Sequence, residues 1–241
     1  MRKQTSLCLI TILALSLSVR AGSNRDDDIR RLQDSALIFQ EILNAPDRGL
    51  PQDLLESAEC IAIIPGELKF AFLFGGNYGK GLVTCRTAKS WSSPLFLSVG
   101  GGSIGFQAGG SATDYLLVFR GRRGLMKLLG NKFKIGGDVA AAAGPVGRTA
   151  AAGTDIAMHA EILTYSRSRG IFAGVSLSGA VVQVDESATR AFYGGSVNRQ
   201  DVVDGKVIAP APAMPLLVAV SKATHTPVPI APPPTAAGKT P

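Results

Sequence analysis

Residues 60–119 consist of short apolar runs separated by glycine clusters, and this alternation restricts the possible folds more than any other feature of the chain. CIAIIP, KFAFLFGG, GLVTCR and LFLSV each have strand length, and Gly-Asn-Tyr-Gly at 76–79 reads as the turn between the first two hairpin arms. From Ile104 through Phe106 and Ala108 to Tyr115, Leu117 and Phe119, larger residues alternate with small or polar ones, as in a strand interrupted by bulges. FKIGGDVAAAAG and GIFAGVSLSGAVVQV read as further strands. The 28 glycines follow no collagen-like period, so they mark turns, bulges and close backbone approaches. With 46% hydrophobic residues, 241 residues suffice for a sizeable core.

Helical spacing lies at the margins. Ile29, Leu32, Ala36, Phe39 and Leu43 form one apolar stripe, Asp26, Asp27 and Asp28 place negative charge at its start, and Pro46 ends it. A second short helix opens at Pro51 with Leu54, Leu55 and Ala58 inward, and a third spans 124–129 with Leu125, Leu128 and Leu129 inward. ESATRAFYG makes a last helical turn. The expected fold is α+β and mostly antiparallel β, a glycine-rich, barrel-like sheet with amphipathic helices at its N-terminus.

The two ends read differently. Arg2 and Lys3 precede an apolar run over 7–19, and Val19-Arg20-Ala21 offers small residues where a signal peptidase cuts, so residues 1–21 are expected to be a secretory signal. Cys8 opens that run instead of following it, which argues against lipidation. Cleavage takes Arg2, Lys3 and Arg20 and lowers the formal charge from +7 to +4. Residues 22–31 form a linker and helix start, and 32–200 the main domain. Nine of the 14 prolines lie from Pro210 onward, so 207–241 is expected to be an extended, disordered tail, with local docking open to 216–220. An exported chain with two remaining cysteines, Cys60 and Cys85, accommodates either a disulfide or two buried thiols.

Little in the chain argues for chemistry. Gly100, Gly102 and Gly105 match G-x-G-x-x-G, but no helical spacing follows to bring a helix N-terminus to a phosphate. Lys80 is followed by Gly81 and not by the hydroxyl residue of a P-loop. His159 and His225 lack the companion ligands of a metal site. The expectation is a protein without enzymatic activity, metal or cofactor. Basic residues are the more informative group: Lys69, Lys80 and Arg86 surround the first hairpin, and Arg120, Arg122, Arg123, Lys127, Lys132 and Lys134 form a dense second cluster. Such groups meet lipid phosphates or simply solvate the surface. Nucleic acid is not expected, because aromatic residues are not interleaved with the basic runs.

AECIAIIPGELKFAFLFGGNYGKGLV, WSSPLFLSVGGGSIGFQAGG, AAAAGPVGRTA, YSRSRGIFAGVSLSGAVV and RAFYG together resemble the SYLF domain family from about residue 32 to 194. That resemblance implies a lipid-binding module, phosphoinositide-binding in eukaryotic relatives and in part through an amphipathic N-terminal helix. It assigns candidate headgroup contacts to Arg30, Arg31, Lys69, Arg148, Arg167 and Arg169, beside Lys80, Arg122, Arg123 and Lys127 from the clusters. Trp91, Gly144, Gly147, Tyr165 and Gly170 take architectural roles. The expected function is reversible binding of anionic membrane lipid by an exported protein of a bacterial envelope, periplasmic or secreted. A structural or protein-interaction role in the envelope is the alternative. Fungal relatives also associate with actin, which has no obvious counterpart in a bacterial envelope and is not expected as a partner.

Overall fold

The computed structural model describes residues 24–45, 49–70, 75–103, 111–130, 132–146, 159–168 and 171–230. The expected signal segment, Gly105, Gly147, Arg148, Arg169, Gly170 and the end of the chain after 230 lie outside the described residues, as do the side chains of Lys69 and Arg122. Two helices, α1 (Arg25–Leu43) and α2 (Gln52–Glu56), lead into β1 (Cys60–Phe70), β2 (Gly75–Cys85), β3 (Leu95–Ser103) and β4 (Ser111–Phe119). Then come α3 (Arg122–Leu129), β5 (Lys132–Lys134), β6 (Ala141–Ala143), β7 (Ile162–Ser168), β8 (Ile171–Gly174) and β9 (Val181–Val184). The described chain closes with α4 (Glu186–Tyr193), α5 (Arg199–Val203), a 3-10 turn (Ala211–Ala213) and α6 (Met214–Ala223). The fold is α+β with a mostly antiparallel sheet, as expected.

The sheet order is β5-β9-β3-β2-β1-β4-β7-β6, with β8 also on β7. Chain reach dictates its shape. β5 and β6 stand at opposite ends of this order, so in a flat sheet seven strand spacings would separate them by roughly 34 Å. Only residues 135–140 connect them, a path of at most about 25 Å when fully extended. A flat sheet is therefore impossible, and the strands curl into a half-barrel.

Both faces of the curled sheet carry a buried core over most of their area. On one face Ile61, Ile63, Leu82, Phe96, Leu116, Val118 and Tyr165 pack under α1, α4 and α6, meeting Leu32, Phe39, Phe192 and Leu217. On the other, Cys60, Ala62, Val83, Cys85, Leu97, Phe119 and Val182 pack under α3 and α5, meeting Leu128 and Val202. Large side chains buried as completely as Phe39 or Phe96 each contribute about 2 kcal/mol from removed apolar area. Cys60 pairs in register with Cys85, and the two are joined by a disulfide, so the free-thiol alternative falls away.

Three local expectations need correction. Gly-Asn-Tyr-Gly at 76–79 is not a turn but lies inside β2, paired with β1 on one side and β3 on the other. Its glycine neighbour Gly81 answers a close approach: a Cβ there would sit 2.3 Å from the Ile63 carbonyl oxygen, where the register of β1 shifts. GIFAGVSLSGAVVQV and FKIGGDVAAAAG each split into two strands that pair at different ends of the sheet. Nor is the region from 207 an extended tail throughout. Residues 214–223 form α6, with Leu216, Leu217 and Val220 buried against the core. Pro215 occupies the first turn of that helix, where its missing N–H costs nothing.

Candidate functional site

The structure distributes the basic candidates over several elements instead of gathering them. Arg30 and Arg31 sit on α1 and pair with Asp27 and Asp28 one turn earlier; Arg31 is 2.6 Å from the fully buried Asp28 and lies over the Phe96 ring. Of the expected apolar stripe of α1, Leu32, Ala36 and Phe39 are buried and Ile29 and Leu43 half-buried, with Ile38 and Ile42 completing the buried face, so this helix covers the sheet. Lys80 is 3.2 Å from Asp185, the N-cap of α4. Burial works against the Asp185 charge, yet hydrogen bonds from Ser187, the Ala188 N–H and Lys80 outweigh it and hold the carboxyl below its ordinary range.

Arg167 is bound most tightly. From β7 it donates to Asp114 of β4 at 2.9 Å and pairs with Glu41 of α1, so one guanidinium ties the helix to two strands. Asp114 also accepts the Gly66 N–H at 2.8 Å. Burial raises the Asp114 carboxyl and lowers the Arg167 guanidinium, which means each charge is costly without the other. Arg167→Ala is expected to lower stability by about 2 kcal/mol in urea unfolding. Combining it with Asp114→Asn should cost less than the two single losses added, because both break one contact. Strict additivity would show that the two groups do not act as a pair.

The second basic cluster keeps its exposure. From Arg120 to Lys134 the sequence carries six basic residues and no acid. Helix α3 is anchored through Leu128, and Arg199 donates to the Leu129 and Gly130 carbonyls at its C-terminal end while pairing with Glu186. Arg123, Met126 and Lys127 share the outward face at three- and four-residue spacing. The Arg123 side chain is 76% exposed, although its guanidinium is 3.2 Å from Glu161, and Met126 is 60% exposed. Lys127, Lys132 and Lys134 are exposed as well. β5 is the terminal strand of the sheet order, so cations with one large apolar side chain line that edge.

Arg86, grouped in the sequence with the bases of the first hairpin, has a structural role. It donates to the Leu55, Glu56 and Ala58 carbonyls, closing the end of α2, and lies over the Trp91 ring at 5.0 Å. The Trp91 indole N–H in turn donates to Thr224 at 2.9 Å. Among the described residues there is no metal-binding cluster of His, Cys, Asp or Glu, and no helix is long and apolar enough to cross a membrane.

The described residues thus form a half-barrel sheet largely covered on both faces, with several basic side chains in ion pairs and an exposed basic run along α3 and β5. The chain belongs to the Ysc84 family, described as Las17-binding protein actin regulator, which it matches over residues 100–223. This is the SYLF family to which the motif blocks pointed. It is 35% identical over 172 residues to an SH3 domain-containing protein, PJ696.02, of Schizosaccharomyces pombe, covering 69% of this chain and 40% of that one. Protein YSC84 of Saccharomyces cerevisiae is 33% identical over 175 residues, covering 71% and 37%. The human SH3 domain-containing YSC84-like protein 1 is 31% identical over 179 residues, covering 73% and 52%. The chain thus spans about half or less of the length of the curated relatives it matches.

Proposed function

We propose that this chain is an exported, non-enzymatic module that binds anionic membrane lipid through the edge formed by α3 and β5. The outward face of α3 carries the reading: Arg123 and Lys127 flank the exposed Met126, a cation–apolar–cation arrangement suited to the boundary between headgroups and acyl chains. Lys132 and Lys134 extend the positive charge along β5. Arg31, Lys80 and Arg167, engaged by acids that are largely buried, serve the fold in this reading. Export is supported by the basic and apolar order of residues 2–21 and by a disulfide that an oxidising compartment favours.

Vesicle co-sedimentation tests the reading. The chain is expected to pellet with phosphatidylglycerol vesicles at low salt and to be released as ionic strength rises. Each basic side chain near a charged surface contributes about 1 kcal/mol, so Arg123→Gln with Lys127→Gln should weaken pelleting by about tenfold, allowing for the pairing of Arg123 with Glu161. Pelleting that ignores both the salt and the double variant would rule this edge out.

A protein partner is the second reading. The family description names a Las17-binding actin regulator. In this chain an apolar groove of about 630 Å³ beside Trp91, lined by Val207, Ile208, Val228 and Ile230, would suit such a contact. Ile208 and Ile230 are 67% and 90% exposed. Association through this groove would persist in high salt, which separates it from headgroup binding.

A further inference from the structure

Strands β2, β3 and β9 leave part of their α1-side face open beside the first turn of α4. The resulting cleft of about 650 Å³ falls in the size range of small-ligand sites. Its floor is a cross-strand row set by register: Lys80 faces Ser98, and Ser98 faces Gln183. Two strand spacings separate the ends of this row by roughly 10 Å. Asp185 and Ser187 of the α4 start form one wall, and Tyr78 stands at the rim, 51% exposed. Tyr78 is the one aromatic residue among the exposed large hydrophobic side chains described.

The charges here are matched internally. Lys80 pairs with Asp185, and Glu186, also in the lining, pairs with Arg199. Ser187 donates to Asp185 at 2.6 Å, fixing the carboxylate as a shaped acceptor. Such a floor offers ammonium, amide and hydroxyl donors beside carboxylate, amide and hydroxyl acceptors without net charge to attract a phosphate. Its natural complement is a neutral molecule dense in hydroxyl groups and carrying one apolar face, which the exposed Tyr78 ring would cover. A pyranose has both properties: equatorial hydroxyls around its edge and a face of C–H bonds.

We propose that this cleft binds a neutral saccharide of one or two pyranose rings, stacked on Tyr78 and hydrogen-bonded to Lys80, Ser98, Gln183 and Asp185. The inference goes beyond membrane binding and uses none of the residues assigned to the α3–β5 edge.

Saturation-transfer difference NMR on the full chain tests it, with maltose, cellobiose and N,N′-diacetylchitobiose as probes and inorganic phosphate as the anionic competitor. The expected result is transfer to ring C–H protons of at least one disaccharide, unaffected by phosphate. Binding should be lost in Tyr78→Ala, retained in Tyr78→Phe and weakened in Gln183→Ala. Because Tyr78 is exposed, Tyr78→Ala should unfold at the parent temperature, so loss of signal reports the site and not the fold. No transfer with any of the three sugars, transfer that survives Tyr78→Ala, or displacement by phosphate would each overturn the proposal. So would a Tyr78-dependent signal confined to peptides. The double variant at Arg123 and Lys127 should leave sugar binding unchanged, which keeps the two sites distinguishable.

Discussion

Gly174→Ala is expected to destabilise the protein by about 3 kcal/mol or more, a large share of the stability of an ordinary domain. The reason lies in how one edge of β7 is shared. β6 runs parallel to it over Ile162–Thr164, and β8 pairs antiparallel with the next stretch, beginning at Tyr165 opposite Gly174. The ends of β6 and β8 therefore abut along a single edge. A Cβ on Gly174 would lie 2.0 Å from the Gly144 carbonyl oxygen, and one on Gly144 would lie 2.0 Å from the Tyr165 ring. Neither obstacle is the free end of a flexible side chain. One is backbone, and the other is a ring fully buried and stacked on Phe172 at 5.2 Å. Gly195→Ala is the control, since a Cβ there meets nothing within 4 Å and the backbone has no positive φ. Thermal unfolding of the two variants checks the argument, and equal midpoints for Gly174→Ala and the parent would refute the abutment.

Removal of the disulfide is the second large effect. Cys60 opens β1 and Cys85 closes β2, 25 residues apart, so the bond closes the hairpin at its open end. In the chain-entropy description a loop of this length restrains the unfolded state by about 3 kcal/mol. The Cys60→Ala/Cys85→Ala variant is expected to lose about that much in guanidinium unfolding, and the parent should lose a similar amount when reductant is added. The paired sulfurs also occupy a fully buried position beside Phe119 in the same cluster, so truncation removes packing in addition to the cross-link. A variant that matches the oxidised parent and no longer responds to reductant would show that the bond adds no stability.

The parts of the fold legible in the sequence were those governed by neighbours a few residues apart. The stripe of α1 is a 3.6-residue period, and Leu32, Ala36 and Phe39 are indeed its buried side. Alternation over 104–119 indicated a strand, of which β4 at 111–119 is the described part, and the Asp185 cap with Gly194 in a left-handed conformation delimits the last turn expected at 186–194. α6 is legible only as local docking at 216–220, because proline-rich composition signals extended chain, whereas Pro210, Pro212 and Pro215 lie before the helix or in its first turn. Gly76-Asn77-Tyr78-Gly79 departs from the expected turn for the converse reason. Its local chemistry is that of a turn, but pairing with β1 on one side and β3 on the other holds it extended. The candidate site was less legible still: Arg167 looks like a surface base beside Ser166 and Ser168 until Asp114 and Glu41 are brought to it.

The amino-acid order alone determined the type of most elements, though not of 76–79 or 214–223, together with the family and the unbroken basic run from Arg120 to Lys134, because period, motif and charge content are properties of adjacent residues. Only the tertiary structure decided which charges are spent inside the fold and which face outward. Coulombic attraction and hydrogen bonding act over a few ångströms, and the register of β4 on β7, which sets Asp114 opposite Arg167, together with α1 packed over that face, is what brings Glu41, Asp114 and Arg167 within that range.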